Sequence, residues 1–220
     1  MTDRPPAALL FDLDGTLTDT DNLHFQAYLT LLEPLGRTID LAYYRQRIMG
    51  APNDRIMAEL FPDRDVAEHR RLAGEKERLF RAQAGSMTPT AGLIELLDWA
   101  DAGGVAKAVV TNAPRDNAEL MLGALGLQAR FPVLVIGDEL AHGKPHPLPY
   151  LTALERLGAV ATDAVAFEDS RSGVASATAA GVATIGLTTG LDDATLRAAG
   201  AIGTARDFAD PWLRRRLALA

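Results

Sequence analysis

The sequence contains no cysteine. Disulfide scaffolding, thiolate catalysis and Cys-based metal sites are therefore excluded. Histidine is scarce: only His24, His69, His142 and His146 occur, with no metal-spaced pair on an evident helix. Long apolar runs are missing too, since no stretch approaches the ~20 residues that cross a bilayer. The opening Met1-Thr2-Asp3-Arg4-Pro5-Pro6 lacks a signal-peptide core. Positive charge is in deficit, with 22 Lys and Arg against 29 Asp and Glu and a net charge of −7. That balance speaks against nucleic acid or an anionic membrane as a partner. A phosphorylated small metabolite needs only one or two local cations and is not excluded. The expectation is a soluble, cytoplasmic protein, monomeric by default.

What is present begins with a hydrophobic share of 48% over 220 residues, enough for one large domain or a domain carrying a smaller insert. The organising stretch is Leu9-Leu10-Phe11-Asp12-Leu13-Asp14-Gly15-Thr16. A short apolar run has the pattern of a buried strand and then breaks into two carboxylates one residue apart. Open α/β folds keep their sites at the carboxyl ends of their strands. Taken alone, the pair is either a divalent-cation site or a carboxylate nucleophile.

From residue 88 onward, strands and helices alternate. Strands are predicted at 7–11, 105–110, 133–136, 164–167 and 182–185. Helices are predicted after Pro89, from Asp116, at 149–157 and at 172–180. Such alternation gives an α/β class fold, a Rossmann-like parallel sheet covered by helices on both faces. Between the first strand and residue 88 the chain reads as helices only, at 24–35, 41–48, 53–60 and 66–83, separated at Pro52 and Pro62. The expected division is a core of residues 1–18 and 88–220, with a helical cap of residues 19–87.

Right-handed crossovers bring the loops after the strands to one edge. Asp12 and Asp14, then Thr111 and Asn112, then Lys144, then Glu168 and Asp169 converge there. Four carboxylates at such density need a cation, and oxygen-only ligands favour Mg²⁺. The lysine and the hydroxyl suit a phosphate oxygen.

In these residues the chain resembles the haloacid dehalogenase-like hydrolase superfamily, whose four motifs appear in order as Asp12-Leu13-Asp14-Gly15-Thr16, Thr111, Lys144 and Glu168-Asp169. The resemblance covers essentially the whole chain, helical insert included. It implies a phosphomonoester hydrolase in which Asp12 is the nucleophile and Asp14 the general acid–base. Mg²⁺ would be held by Asp12, the Asp14 backbone carbonyl and Asp169, with Glu168 supporting that site. Lys144, Thr111 and Asn112 would bind the phosphoryl group. An aspartate at position 14 argues against dehalogenation, because a halide leaves without a proton whereas an alkoxide does not.

The insert should set the substrate. His24 resembles the histidine that, in the phosphoglucomutase-like branch, orients the general acid, and it is grouped here with the substrate-binding residues. That branch carries a lysine before the glycine of a cap loop and an arginine after it; here Met49 and Asn53 stand in those places. A second phosphate needs a fixed cation, so the expected activity is hydrolysis of small phosphosugars, with Asn53 facing sugar hydroxyls. A phosphomutase and a phosphoglycolate phosphatase-like enzyme are the alternatives. Arg55 and His69 read as solvent-facing, Lys76 as part of a surface ion pair or, as the lesser alternative, as reaching the cleft between cap and core, and His146 as shaping its loop. Arg115 reads either as a substrate contact or as a loop cap, and Trp99 and Trp212 as packing residues. Arg214-Arg215-Arg216 is too short a run for nucleic-acid binding.

Overall fold

In the computed structural model, which describes residues 5–85 and 87–219, a sheet of six parallel strands forms the centre of the molecule. The strands are β1 (Ala8–Phe11), β2 (Ala106–Thr111), β3 (Val133–Ile136), β4 (Ala164–Glu168), β5 (Ala183–Leu187) and β6 (Gly203–Ala205), in spatial order β3-β2-β1-β4-β5-β6. β1 lies between β2 and β4, with Phe11 opposite Val109 on one side and Phe167 on the other. All four of its residues are buried, which is why it reads as a continuous apolar run rather than an alternating one. Leu9 and Phe11 pack on one face of the sheet, and Ala8 and Leu10 on the other.

The face under Leu9 and Phe11 is closed by α5 (Leu93–Ala102), α6 (Arg115–Ala124) and α10 (Pro211–Arg216). The opposite face is closed by α7 (Leu148–Leu157) and α8 (Arg171–Ala179), while α9 (Asp193–Ala198) packs Leu196 against Val174. Asp192 and Ser170 cap α9 and α8 by accepting from Thr195 N and Gly173 N.

The remaining helices are α1 (Asp21–Leu32), α2 (Leu41–Tyr43), α3 (Asn53–Leu60) and α4 (Val66–Gln83), and they share an apolar cluster of their own built on Tyr28, Leu32, Tyr44, Met57 and Leu72. The expected helix over 41–48 is helical only to Tyr43 and runs on as a wider π-turn, Tyr44–Ile48. β6 and α9 were not read from the sequence. Among the described residues no helix is long and apolar enough to cross a membrane.

Candidate active site

β1 delivers Asp12 to the carboxyl edge of the sheet, and its backbone N–H donates to Phe167 O at 3.0 Å, continuing the ladder by one residue. The residue is 7% exposed and its side chain sits against Lys144, whose Nζ donates to Asp12 Oδ1 at 2.6 Å and to Glu168 Oε1 at 2.5 Å. Tyr150 also donates to Glu168 Oε1, at 2.6 Å. Burial first, and the Glu168 charge second, push the Asp12 carboxyl up to about 7 despite the pull of Lys144. The lysine is held charged: its two carboxylate partners outweigh the cost of its burial and raise it above its ordinary value. No hydrogen bond from the protein reaches Asp12 Oδ2 among the described residues, which leaves that oxygen open to the cavity.

Asp169 is the group that demands a further partner. It is 4% exposed and accepts no hydrogen bond among the described residues, so burial, then Asp12 and Glu168, raise its carboxyl well above the usual range. Ligand atoms of Asp12, Glu168 and Asp169 lie within 4.8 Å of one another. A buried oxygen-only cluster with one unpartnered carboxylate fits a hard divalent cation. Gly15 explains itself here. Its φ is +74°, and a Cβ built on it would lie 2.0 Å from Asp169 Oδ2, so only glycine lets that carboxylate lie over the turn.

The Asp14 side chain lines the same cavity but has its own partners. Its Oδ1 accepts from Thr20 Oγ1 at 2.7 Å and pairs with His24 Nε2 at 3.0 Å. Lys76 Nζ lies 2.8 Å from His24 Nδ1. An ammonium only donates, so Nδ1 accepts and the ring proton is assigned to Nε2, aimed at Asp14. His24 stacks on Phe80 with ring centroids 4.1 Å apart, fixing its plane. Burial alone would raise the Asp14 carboxyl, but His24, Thr20 and Lys76 outweigh it and hold it below the usual value.

Several expectations change at this level. His24, grouped with the substrate-binding residues, has both ring nitrogens turned to Lys76 and Asp14. Asn112, expected at phosphate, clamps the Lys144 backbone instead: Nδ2 donates to Lys144 O at 3.1 Å and Oδ1 accepts from Lys144 N at 3.0 Å. Glu168, expected to support the metal site, belongs to the carboxylate cluster and also accepts from Lys144, Tyr150 and Ser170. Lys76 is not on the surface but 3% exposed, between His24 and Glu77. His69 is not wholly solvated either, because its Nε2 meets Phe61 O at 2.8 Å. Arg115 is tied to Glu139 and Glu119 and shapes the surface of its loop.

Thr111 is buried, and its Oγ1 accepts from Ala113 N at 2.9 Å, which leaves its O–H free to donate. Asp12, Asp14, Thr111, Lys144 and Asp169 line a single cavity with Asn53, Lys76, Glu77 and Asn117. The cavity closes between the sheet edge and the helices of the insert.

The family model for "Haloacid dehalogenase-like hydrolase" matches residues 9–187. A phosphorylated carbohydrates phosphatase of Thermotoga maritima is 37% identical over 202 residues, covering 89% of this chain and 92% of that protein. A phosphoglycolate phosphatase of Xylella fastidiosa is 40% identical over 179 residues, covering 80% of this chain and 78% of that protein. Among solved structures, CbbY of Rhodobacter sphaeroides in complex with xylulose 1,5-bisphosphate superposes with a TM-score of 0.78 at 28% identity, covering 93% of this chain and 95% of that one. Fold, motif order and these relatives agree, and the chain belongs to the haloacid dehalogenase-like hydrolase family.

Proposed function

We propose that this chain is a Mg²⁺-dependent phosphatase of small phosphosugars that works through an aspartyl-phosphate. The observation that carries the reading is the contrast between two carboxylates one residue apart. Asp12 is held by a lysine, with its second oxygen open to the cavity, whereas Asp14 is held by a threonine and a histidine. One is suited to attack, the other to move a proton.

In this mechanism Asp12 Oδ2 attacks phosphorus in line, and the bond to the leaving oxygen breaks as Asp14 donates its proton there. In the second half, Asp14 takes a proton from water, which attacks phosphorus and releases Asp12. The substrate-free site holds Asp14 ionised, the form the second half requires. An entering phosphate dianion raises that carboxyl toward the acid the first half requires. Lys144 and the Thr111 hydroxyl bind phosphoryl oxygens, with Asn112 fixing the lysine backbone and Glu168 its ammonium. Mg²⁺ bound by Asp12 and Asp169 would neutralise charge on the transferring group. The helices of residues 19–87 act as a cap that excludes bulk water while the covalent intermediate exists.

The carbohydrate preference is supported by the Thermotoga maritima relative and by a neutral residue at position 53. Replacing Asp12 by Asn should abolish phosphate release from p-nitrophenyl phosphate and from every sugar phosphate tried. Release that survived in pure Asp12→Asn protein would contradict the mechanism.

A further inference from the structure

Glu77 takes no part in the steps above, yet it is 5% exposed and faces the same cavity as Asp12. Its Oε1 accepts from Asn53 Nδ2 at 3.0 Å and from Lys76 Nζ at 3.1 Å, and its Oε2 accepts from Asn117 Nδ2 at 2.7 Å. Arg81 fixes the sense of this arrangement from outside the cavity. Its Nη1 donates to Asn117 Oδ1 at 2.8 Å, so the Asn117 amide must present its NH₂ to Glu77. Asn53 likewise gives its NH₂ to Glu77. Its carbonyl oxygen then has no protein partner among the described residues.

The part of the cavity lined by Glu77 and Asn53 is therefore an acceptor surface. Asp21, its Oδ1 bonded by the Tyr44 hydroxyl, adds another carboxylate to the lining. No arginine lines the cavity among the described residues, and neither of its two lysines is unpaired: Lys144 serves Asp12 and Glu168, and Lys76 serves Glu77. A dianionic second phosphate or a carboxylate has no O–H to offer such acceptors and no free cation to meet. A hydroxyl or an amine donates to them directly.

We infer that Glu77 is a specificity-determining residue, and that the leaving group this site accepts is a neutral, hydroxyl-bearing or amine-bearing alcohol rather than one carrying a second anionic group. The inference rests on the phosphatase reading and narrows it to monophosphates whose leaving alcohol carries no charge. It sets this chain apart from the substrate classes named for two of its relatives, phosphoglycolate and a sugar bisphosphate.

The test is kcat/KM with Mg²⁺ for p-nitrophenyl phosphate, hexose and pentose monophosphates, fructose 1,6-bisphosphate and phosphoglycolate, in wild type and in Glu77→Gln. The wild type should prefer a sugar monophosphate to both substrates that carry a second anionic group by about tenfold or more. Glu77→Gln keeps the side-chain shape, removes the charge, and should narrow that ratio by a similar factor. Asn53→Lys, at the first turn of α3, should raise bisphosphate turnover relative to monophosphate. A purely structural Glu77 would lower every substrate equally in Glu77→Gln and leave the ratio unmoved, which overturns the inference. So does a wild type that prefers phosphoglycolate or the bisphosphate, although p-nitrophenyl phosphate turnover then leaves the phosphatase reading standing. Loss of turnover on all five, p-nitrophenyl phosphate included, overturns both.

Discussion

With only Leu13 between them in sequence, Asp12 and Asp14 are driven in opposite directions because one is buried among acids and the other is wired to a histidine and a lysine. The Lys76–His24–Asp14 chain predicts a pH effect with a definite sign. Removing Lys76 takes away a charge that stabilises the Asp14 carboxylate, so its protonation moves to higher pH. The acid limb of the kcat profile, where Asp14 must be a base toward water, should move up in Lys76→Ala, as a pH series of steady-state rates would record. An unmoved limb would separate Lys76 from the proton transfer. Gly15→Ala tests the other side of the site. The left-handed backbone costs a non-glycine residue about 1–2 kcal/mol, and the new Cβ would displace Asp169, so stability and Mg²⁺ affinity should fall together. That Asp12, Asp14 and Lys144 converge on one sheet edge was legible in the sequence because they lie in short motifs that follow strands. Lys76 was not, because Glu75-Lys76-Glu77-Arg78 looks like a solvated charge run. The signal was there in the spacing: Leu72, Lys76 and Phe80 fall at successive four-residue steps and share one buried face of α4.

At the level of elements, β1 and the helix-only segment after it were readable because a four-residue apolar strand and helices with apolar residues at helical spacing, punctuated by Pro52 and Pro62, leave strong patterns. β6 has three residues including a glycine, too few for a period to register. α9 has only six residues, and its one clear mark is the Asp192 cap. The π-turn at Tyr44–Ile48 keeps Tyr44 and Ile48 buried without changing composition, so no residue type announces it. Elements also explain why the insert closes where it does. Ser172 at the start of α8 donates to Gly50 O, and on the other rim α4 meets α6 through Glu77, Arg81 and Asn117. Asn117→Ala deletes both contacts of that second rim. Hydrogen exchange should quicken in α4 while β1 and β4 stay protected; unchanged exchange in α4 would mean that this rim does not hold the cap.

For the molecule as a whole, the acidic centre makes stability depend jointly on pH and metal. The folded chain holds a proton on Asp12 up to about 7, whereas an unfolded aspartate loses it near 3.9. Between those values the folded state binds more protons, so the contribution of this site to stability is present below the unfolded value and is lost as pH rises through the folded one. A divalent cation bound by this cluster would replace that proton. Thermal unfolding should therefore show a larger Mg²⁺-dependent rise in Tm at about pH 8 than at about pH 5, and an equal rise at both would place the ion elsewhere. The cavity, about 100 Å³, is smaller than the ~300–1,000 Å³ of ordinary ligand pockets. On the cap reading proposed above, substrate would enter as the helices of residues 19–87 move away from the sheet edge. Covalent phosphorylation of Asp12 is tested most directly with Asp14→Ala and p-nitrophenyl phosphate, whose leaving group departs without a proton donor. The expected result is a burst of one nitrophenol per chain, no matching release of phosphate, and a phosphoryl group found by mass spectrometry on Asp12. Steady release of phosphate with Asp12 unmodified would contradict it.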